Sequence, residues 1–547
     1  MNQLFFGDNL DILRESIDDE SVDLVYLDPP FNSSANYNVL FSSPKGHQSE
    51  SQIEAFEDTW HWGEEAEKEF AEILVQSNTQ VAEMMRSLRS FLGENDMMAY
   101  LVMMANRLLQ LHRVLKPIGS LYLHCDPTAS HYLKVVLDGV FGVENFRNEI
   151  IWKRSSAHSD ARQGATHFGR VTDTILFYAK SEKSVFHQLH RPYDEEYVER
   201  DYRRVEEDGR RYRIDNIQGP GGAAKGNPFY EVMGVSRYWR YSKERMQELI
   251  DQGRIIQTRP GAVPQYKRYL DEMPGVAVQN LWDDISVINN RSKELLGYPT
   301  QKPLALLERI IGASSNEGDI VLDPFCGCGT AVHAAQKLKR QWIGIDITHL
   351  AISLIEKRLR DAFPSITFEV HGTPKDLDGA RNLAERDKYQ FQWWACSLVN
   401  SQPYQGKKKG ADSGIDGLIY FQDDTGLPKK IIVSVKGGEN VNVAMIRDLA
   451  HVVDREKAQI GLFVSLVEPT KPMTTEAVKE GYYTSPANGA KFPKIQILTI
   501  EGLLTHQEEA AYPHLDAGAA TFKKAAIEHG EDKQADLFAA PVKKKKK

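Results

Sequence analysis

A chain of 547 residues exceeds what one hydrophobic core usually serves, so two to four domains are expected. The four cysteines, Cys125, Cys326, Cys328 and Cys396, are too dispersed for a disulfide framework and lack the second pair of a zinc finger, which points to a reducing, cytoplasmic setting. A formal net charge of −9, the lack of a run of about eighteen apolar residues and the lack of a basic-then-apolar leader argue against a uniformly basic nucleic-acid coat, membrane insertion and secretion.

In chain order, LFFGDNL reads as a short strand that runs into Asp8. VDLVYLDPPF reads as a second strand, ended by Asp28-Pro29-Pro30, because proline cannot donate to a strand ladder and pushes its predecessor towards extended geometry. Asp28 and Phe31 then sit at a strand's carboxyl end, where open α/β sheets bind ligands. The first hundred residues hold about fifteen more acids than bases, concentrated around ESQIEAFEDTWHWGEEAEKEFAE, which reads as a solvated helix and loop. GSLYLHCD and DTILFYAK are further strands. From Ile151 to about Tyr269 arginine alternates with tyrosine and tryptophan, the residue types of a phosphate- and base-contacting surface.

Residues 319–347, DIVLDPFCGCGTAVHAAQKLKRQWIGIDI, read as strand, glycine-rich turn, helix and strand. Gly327 and Gly329 allow backbone to approach a ligand, and Asp346, about twenty residues on, can accept from ribose hydroxyls, which makes an adenosine-cofactor pocket. Thr330, Ala331 and Val332 follow Gly329, so the third glycine of the dinucleotide fingerprint is missing, and no GKS or GKT cradles a triphosphate.

DPPF, then YPTQKPLALLERII, then DPFCGCGT resembles, over about residues 1–365, the beta-type DNA amino-methyltransferases of the N4/N6 DNA methylase family. The resemblance implies a permuted Rossmann-like α/β sheet in which DIVLDPF and QWIGIDI are the first and second strands, LFFGDNL the third and VDLVYLDPPF the fourth. It implies S-adenosyl-L-methionine as cofactor, with Lys302 and Pro303 beside it, Asp323, Phe325, Gly327 and Gly329 along it, Asp346 on its ribose and Asp8 near its adenine. Asp28 and the Pro29 carbonyl would accept the two amino hydrogens of a flipped base, Pro30 would stiffen the turn and Phe31 would stack on the base. Aspartate at the first motif position favours adenine N6, with cytosine N4 as the alternative. The partner is double-stranded DNA, and dimers are common among such proteins.

After Ser365 a polar connector leads to the buried helix FQWWACSLV and to two strands that bring Asp416 towards Lys436. Over about residues 385–505 this resembles the Mrr-type restriction endonucleases of the PD-(D/E)xK class, which implies Asp416 and Lys436 as catalytic residues and a magnesium ion on Asp416. Ser434 stands where such sites carry glutamate or glutamine, and Glu385 and Asp387 are the candidates for the acid of the first helix.

The expected domains are a catalytic half (1–150), a target-recognition insert (151–285), a cofactor-binding half (286–365), a linker (366–384), an endonuclease-like domain (385–510) and a flexible tail (511–547) that ends in PVKKKKK. Two functions follow. One is a DNA methyltransferase fused to a nuclease, as a one-chain restriction–modification system; the other is a recognition or modification subunit whose tail domain only binds DNA.

Overall fold

The computed structural model describes residues 2–30, 36–42, 48–57, 61–76, 78–155, 166, 168–289, 292, 294–296, 298, 300–404, 414–424, 428–513 and 527–528, with backbone alone over 36–42 and 48–57. Phe31 and most of the expected flexible tail lie outside the described residues. Two compact units emerge, one of residues 1–187 with 280–529 and one built on 188–279.

The first unit holds a nine-stranded sheet. Its strands are β1 (Gln3–Phe6), β2 (Val22–Leu27), β3 (Leu115–Cys125), β4 (Phe146–Lys153), β5 (Thr172–Ala179), β6 (Leu281–Trp282), β7 (Ile320–Asp323), β8 (Gln341–Asp346) and β9 (Glu369–His371), in the spatial order β6-β4-β5-β3-β2-β7-β8-β1-β9. The run from β3 through β2, β7, β8 and β1 to β9 is parallel, and β5 is antiparallel to both β3 and β4. All six residues of β2 are buried, as a central parallel strand covered on both faces requires. Its one acid, Asp23, is held by Lys116 at 2.7 Å and by the Ile320 amide at 2.9 Å. The permuted order read from the sequence is the order found: β7 and β8 lie between β2 and β1, so the carboxyl ends of strands from both chain halves share one edge.

Helices α1 (Asn9–Ser16), α2 (Glu64–Val75) and α3 (Asp96–Val114) belong to the amino-terminal half. Helices α4 (Leu304–Ser314), α5 (Thr330–Lys337) and α6 (His349–Ala362) follow in the second half. The stretch 151–187, expected within the insert, supplies all of β5 and the end of β4, and the second unit begins at Gln188.

The carboxyl-terminal part of the first unit packs α7 (Leu377–Arg386) and α8 (Lys388–Leu398) on a five-stranded sheet, β10 (Gln402–Pro403), β11 (Gly417–Phe421), β12 (Lys429–Lys436), β13 (Ile460–Ser465) and β14 (Ile495–Thr499). Helix α9 (Val443–Arg455) lies in the core on the other face. β11 and β12 are antiparallel, while β12, β13 and β14 are parallel, so the sheet is mixed. No described helix is long and apolar enough to cross a membrane.

Candidate active site

The carboxyl edge formed by β1, β2, β7 and β8 opens into a cavity of about 340 Å³. Asp8, Asp28, Pro29, Pro30, Lys302, Asp323, Phe325, Gly327 and Asp346 line it, so most of the residues expected to act together do meet, although they come from segments up to 338 positions apart. Pro303 and Gly329 stand just behind the wall. Pro303 caps α4, and Gly329 caps α5 in a left-handed conformation (φ 76°), where an added Cβ would come within 2.8 Å of Ile355 Cγ1.

Asp28 follows directly on β2, so a buried strand fixes its position. Lys302 donates to Asp28 Oδ2, while Asp28 Oδ1 is buried with no hydrogen-bond partner among the described residues. A buried carboxylate oxygen without a donor is costly, and a ligand N–H would relieve that cost. Lys302, expected beside the cofactor, therefore also anchors the acid of the DPPF turn. Behind it, the Tyr26 hydroxyl lies 3.2 Å from His124 Nδ1, and His124 Nε2 lies 3.3 Å from Asp173, a buried chain that pins Tyr26 next to Asp28.

At the other end of the cavity Asp346 Oδ2 accepts from the Gly327 amide at 2.8 Å, and Oδ1 accepts from the Thr348 amide and hydroxyl at 2.9 Å each. A carboxylate has roughly four acceptor sites, so Oδ2 retains capacity for a hydroxyl. Burial pushes the Asp346 carboxyl up to about 6, against the pull of those hydrogen bonds. Asp323 is buried and accepts from the Phe325 amide at 3.0 Å; burial, then the nearby Asp28 and Asp346 charges, hold its carboxyl well above the usual range. Gly327 also has a positive φ (52°), and the Tyr298 ring lies 3.3 Å from where its Cβ would be, so this turn admits no side chain without displacement.

Asp8 plays two parts. It caps α1 by accepting from the Leu10 amide at 2.7 Å, and Arg107 of α3 donates to both of its oxygens at 3.1 Å. Arg107 also donates to Asn9 Oδ1 at 2.6 Å, and Asn9 in turn holds the Pro324 carbonyl at 2.8 Å, tying the first strand's turn to the glycine-rich turn. Sequence reasoning missed Arg107, Tyr298, Tyr26 and His124. Arg107, Tyr26 and His124 were hinted at only as polar groups inside an apolar helix or strand, and Tyr298 only as the first residue of YPTQKP, in a loop.

In the carboxyl-terminal part the implied magnesium site is not formed. Asp416 Oδ1 accepts from Gln392 of α8 at 2.9 Å; Oδ2 accepts from the Val435 amide at 2.7 Å and from Ser434 at 3.3 Å, with Lys436 at 3.9 Å. Amide, hydroxyl and ammonium donors converge on a single acid, which is the reverse of the oxygen-ligand set that magnesium demands. Glu385 is exposed on α7 and Asp387 is used as the cap of α8, accepting from the Tyr389 and Gln390 amides. Among the described residues no group of three His, Cys, Asp or Glu side chains could hold a metal ion.

Comparison with known proteins bears on both parts. The family model described as DNA methylase matches residues 22–357, and one described as NACHT-associated inactive Restriction Endonuclease 1 matches residues 397–488, so the second match is not specifically Mrr-type. The chain is 32% identical to the type II methyltransferase M.EcaI of Enterobacter cloacae over 48% of this chain and 57% of that protein. It is 26% identical to the Mod subunit of the type III restriction-modification enzyme StyLTI of Salmonella typhimurium over 62% and 50%. It is 25% identical to the DNA adenine methyltransferase YhdJ of Escherichia coli over 70% and 91%. The chain thus spans about half the length of the first two of these relatives.

Proposed function

The chain belongs to the DNA methylase family, and on that premise we propose that it transfers a methyl group from S-adenosylmethionine to the exocyclic N6 of an adenine flipped out of duplex DNA. One observation carries this reading: Asp28 presents a buried, unpartnered carboxylate oxygen to the same cavity that the Gly327 turn and Asp346 line. The residues present fit the cofactor, since Asp346 has acceptor capacity for ribose hydroxyls and Phe325 and Met103 offer apolar wall. Bound there, the cofactor supplies a methyl group activated by a sulfonium.

The exocyclic amino nitrogen is a poor nucleophile because its lone pair is delocalised into the ring. Asp28 Oδ1 accepts one amino hydrogen and the Pro29 carbonyl the other, which favours a tetrahedral nitrogen with its lone pair turned to the methyl group. Lys302 keeps the other oxygen of Asp28 occupied, so the acceptor cannot rotate away. Adenine is favoured by the aspartate of the DPPF turn, and one relative is named an adenine methyltransferase.

We read the carboxyl-terminal domain as a DNA-associated, non-cleaving module of a restriction–modification context. The donors gathered on Asp416 and the family description support this over the fused nuclease. The experiment is single-molecule sequencing of DNA from methylation-deficient cells expressing the chain. The expected result is N6-methyladenine in one sequence context; N4-methylcytosine alone would move the target base, and unmodified DNA would remove the activity.

A further inference from the structure

The second unit uses its cations in more than one way. Arg210, Arg254, Lys267 and Arg268 are ion-paired with Asp271, Glu272, Glu206 and Asp215 and hold that unit together. Several others, Lys225, Arg237 and Arg240 among them, are exposed and, among the described residues, ion-paired to no acid. These three gather on or beside one hairpin, Phe229–Val232 paired antiparallel with Val235–Tyr238.

The hairpin has two unlike faces. Val232, Val235 and Tyr230 pack with Ile217, Trp239 and Met246 in the unit's core. The opposite face carries Phe229 across from Tyr238 and Glu231 across from Ser236, all exposed, with the two rings 5.0 Å apart. Phe229 is 60% exposed. Tyr238 rests with one side on the Gly222 turn, whereas Phe229 is the more open of the two rings. Beside them runs an open cleft floored by Gly219 and Gly222, where a Cβ at Gly222 would come within 3.2 Å of Tyr238.

The tip is strained. Met233 and Gly234 form a two-residue turn with φ 48° and 79°, the primed geometry that normally selects Asn-Gly, yet the first position is an exposed methionine whose carbonyl is pinned by Gln257 at 2.8 Å. A non-glycine residue rarely adopts this conformation, so the surrounding contacts hold the tip in place.

We propose that the hairpin Phe229–Tyr238 is a two-stranded ribbon that enters the major groove of the substrate DNA, with Glu231 and Ser236 facing base edges and Lys225, Arg237 and Arg240 on phosphates. A two-stranded ribbon fits the major groove, where each base pair shows a distinct pattern of donors and acceptors. Glu231, the one acid on the exposed face, accepts from a cytosine amino group and repels phosphate, so it suits base reading and not backbone anchoring. The aromatic pair supplies apolar contact for thymine methyl groups.

This inference rests on DNA being the substrate, and its test separates the two. The full chain and two double variants, Lys225→Ala with Arg240→Ala and Glu231→Ala with Ser236→Ala, are compared by circular dichroism, by titration with S-adenosylmethionine, by fluorescence anisotropy on a mixed-sequence duplex over a salt series, and by modification sequencing. The cation pair is expected to weaken duplex binding about tenfold or more and to lower the salt slope by about 2, with the methylated context unchanged. The face pair is expected to keep the salt slope and relax the context at one or two positions. Folded variants with wild-type duplex affinity, salt slope and context would overturn the ribbon. If the wild type binds duplex through the cations but methylates nothing, the ribbon stands and the methyl-transfer reading fails.

Discussion

Asp346 shows how one side chain can be read from sequence and still hold a consequence only geometry reveals. Its distance from the glycine turn suggested a ribose acceptor; its burial, which no spacing encodes, moves its carboxyl to about 6. Ionised, it accepts hydroxyl donors best, so cofactor affinity is expected to fall as pH drops through about 6. Asp346→Asn should bind more weakly by roughly 1.5–3 kcal/mol, about ten- to a hundredfold, with that pH dependence abolished. Calorimetric titration from about pH 5 to about pH 8 measures both. For the unliganded protein the sign is opposite. The folded carboxyl holds its proton more tightly than the unfolded one, so its contribution to stability is complete below the ordinary aspartate range and is lost as pH rises through about 6. Asp28 was equally legible, because a strand followed by two prolines is a local pattern. Arg107 was not, since its partner Asp8 lies 99 residues away and nothing near either residue announces the pair.

At the scale of elements, the strand–turn–helix around Gly327 and Gly329 is specified locally, and its glycines are required for different reasons. Gly329→Ala puts a methyl group against Ile355 in a left-handed backbone and should cost about 1–3 kcal/mol in urea unfolding; an unchanged midpoint would contradict the packing described. Helix α8 was expected from its buried apolar run, but not its contacts. Gln390 accepts from the His349 amide at 3.1 Å, Gln392 reaches Asp416, and Trp393 packs with Tyr298, Leu350 and Leu354 behind the cofactor turn. Trp393→Ala is therefore expected to weaken S-adenosylmethionine binding through Tyr298, whereas Trp394→Ala, which faces the carboxyl-terminal core, should destabilise by a similar roughly 3–5 kcal/mol without changing cofactor affinity. Equal cofactor affinities for the two variants would sink this distinction.

For the whole molecule, sheet order was legible because two motif-bearing halves each ended in a ligand loop, and a parallel sheet with right-handed crossovers leaves few ways to join them. The carboxyl-terminal fold was legible for the same reason, but its chemistry was not. Asp416 and Lys436 do approach, as their spacing suggested, yet Gln392 came from a helix that sequence patterning could only label as buried. Because that amide and Lys436 occupy Asp416, neither the wild type nor Ser434→Glu is expected to nick unmethylated duplex in magnesium; cutting by the variant would show that only one ligand was missing. The central claim is that Asp28 presents the amino acceptor in the cavity that Asp346 and the Gly327 turn also line. Its most direct test is transfer of a labelled methyl group from S-adenosylmethionine to unmethylated duplex by wild type and Asp28→Asn, with cofactor affinity measured on the same samples. The expected result is labelled N6-methyladenine from wild type, a loss of about a hundredfold or more in Asp28→Asn, and the same cofactor affinity in both; undiminished transfer by Asp28→Asn would contradict the account.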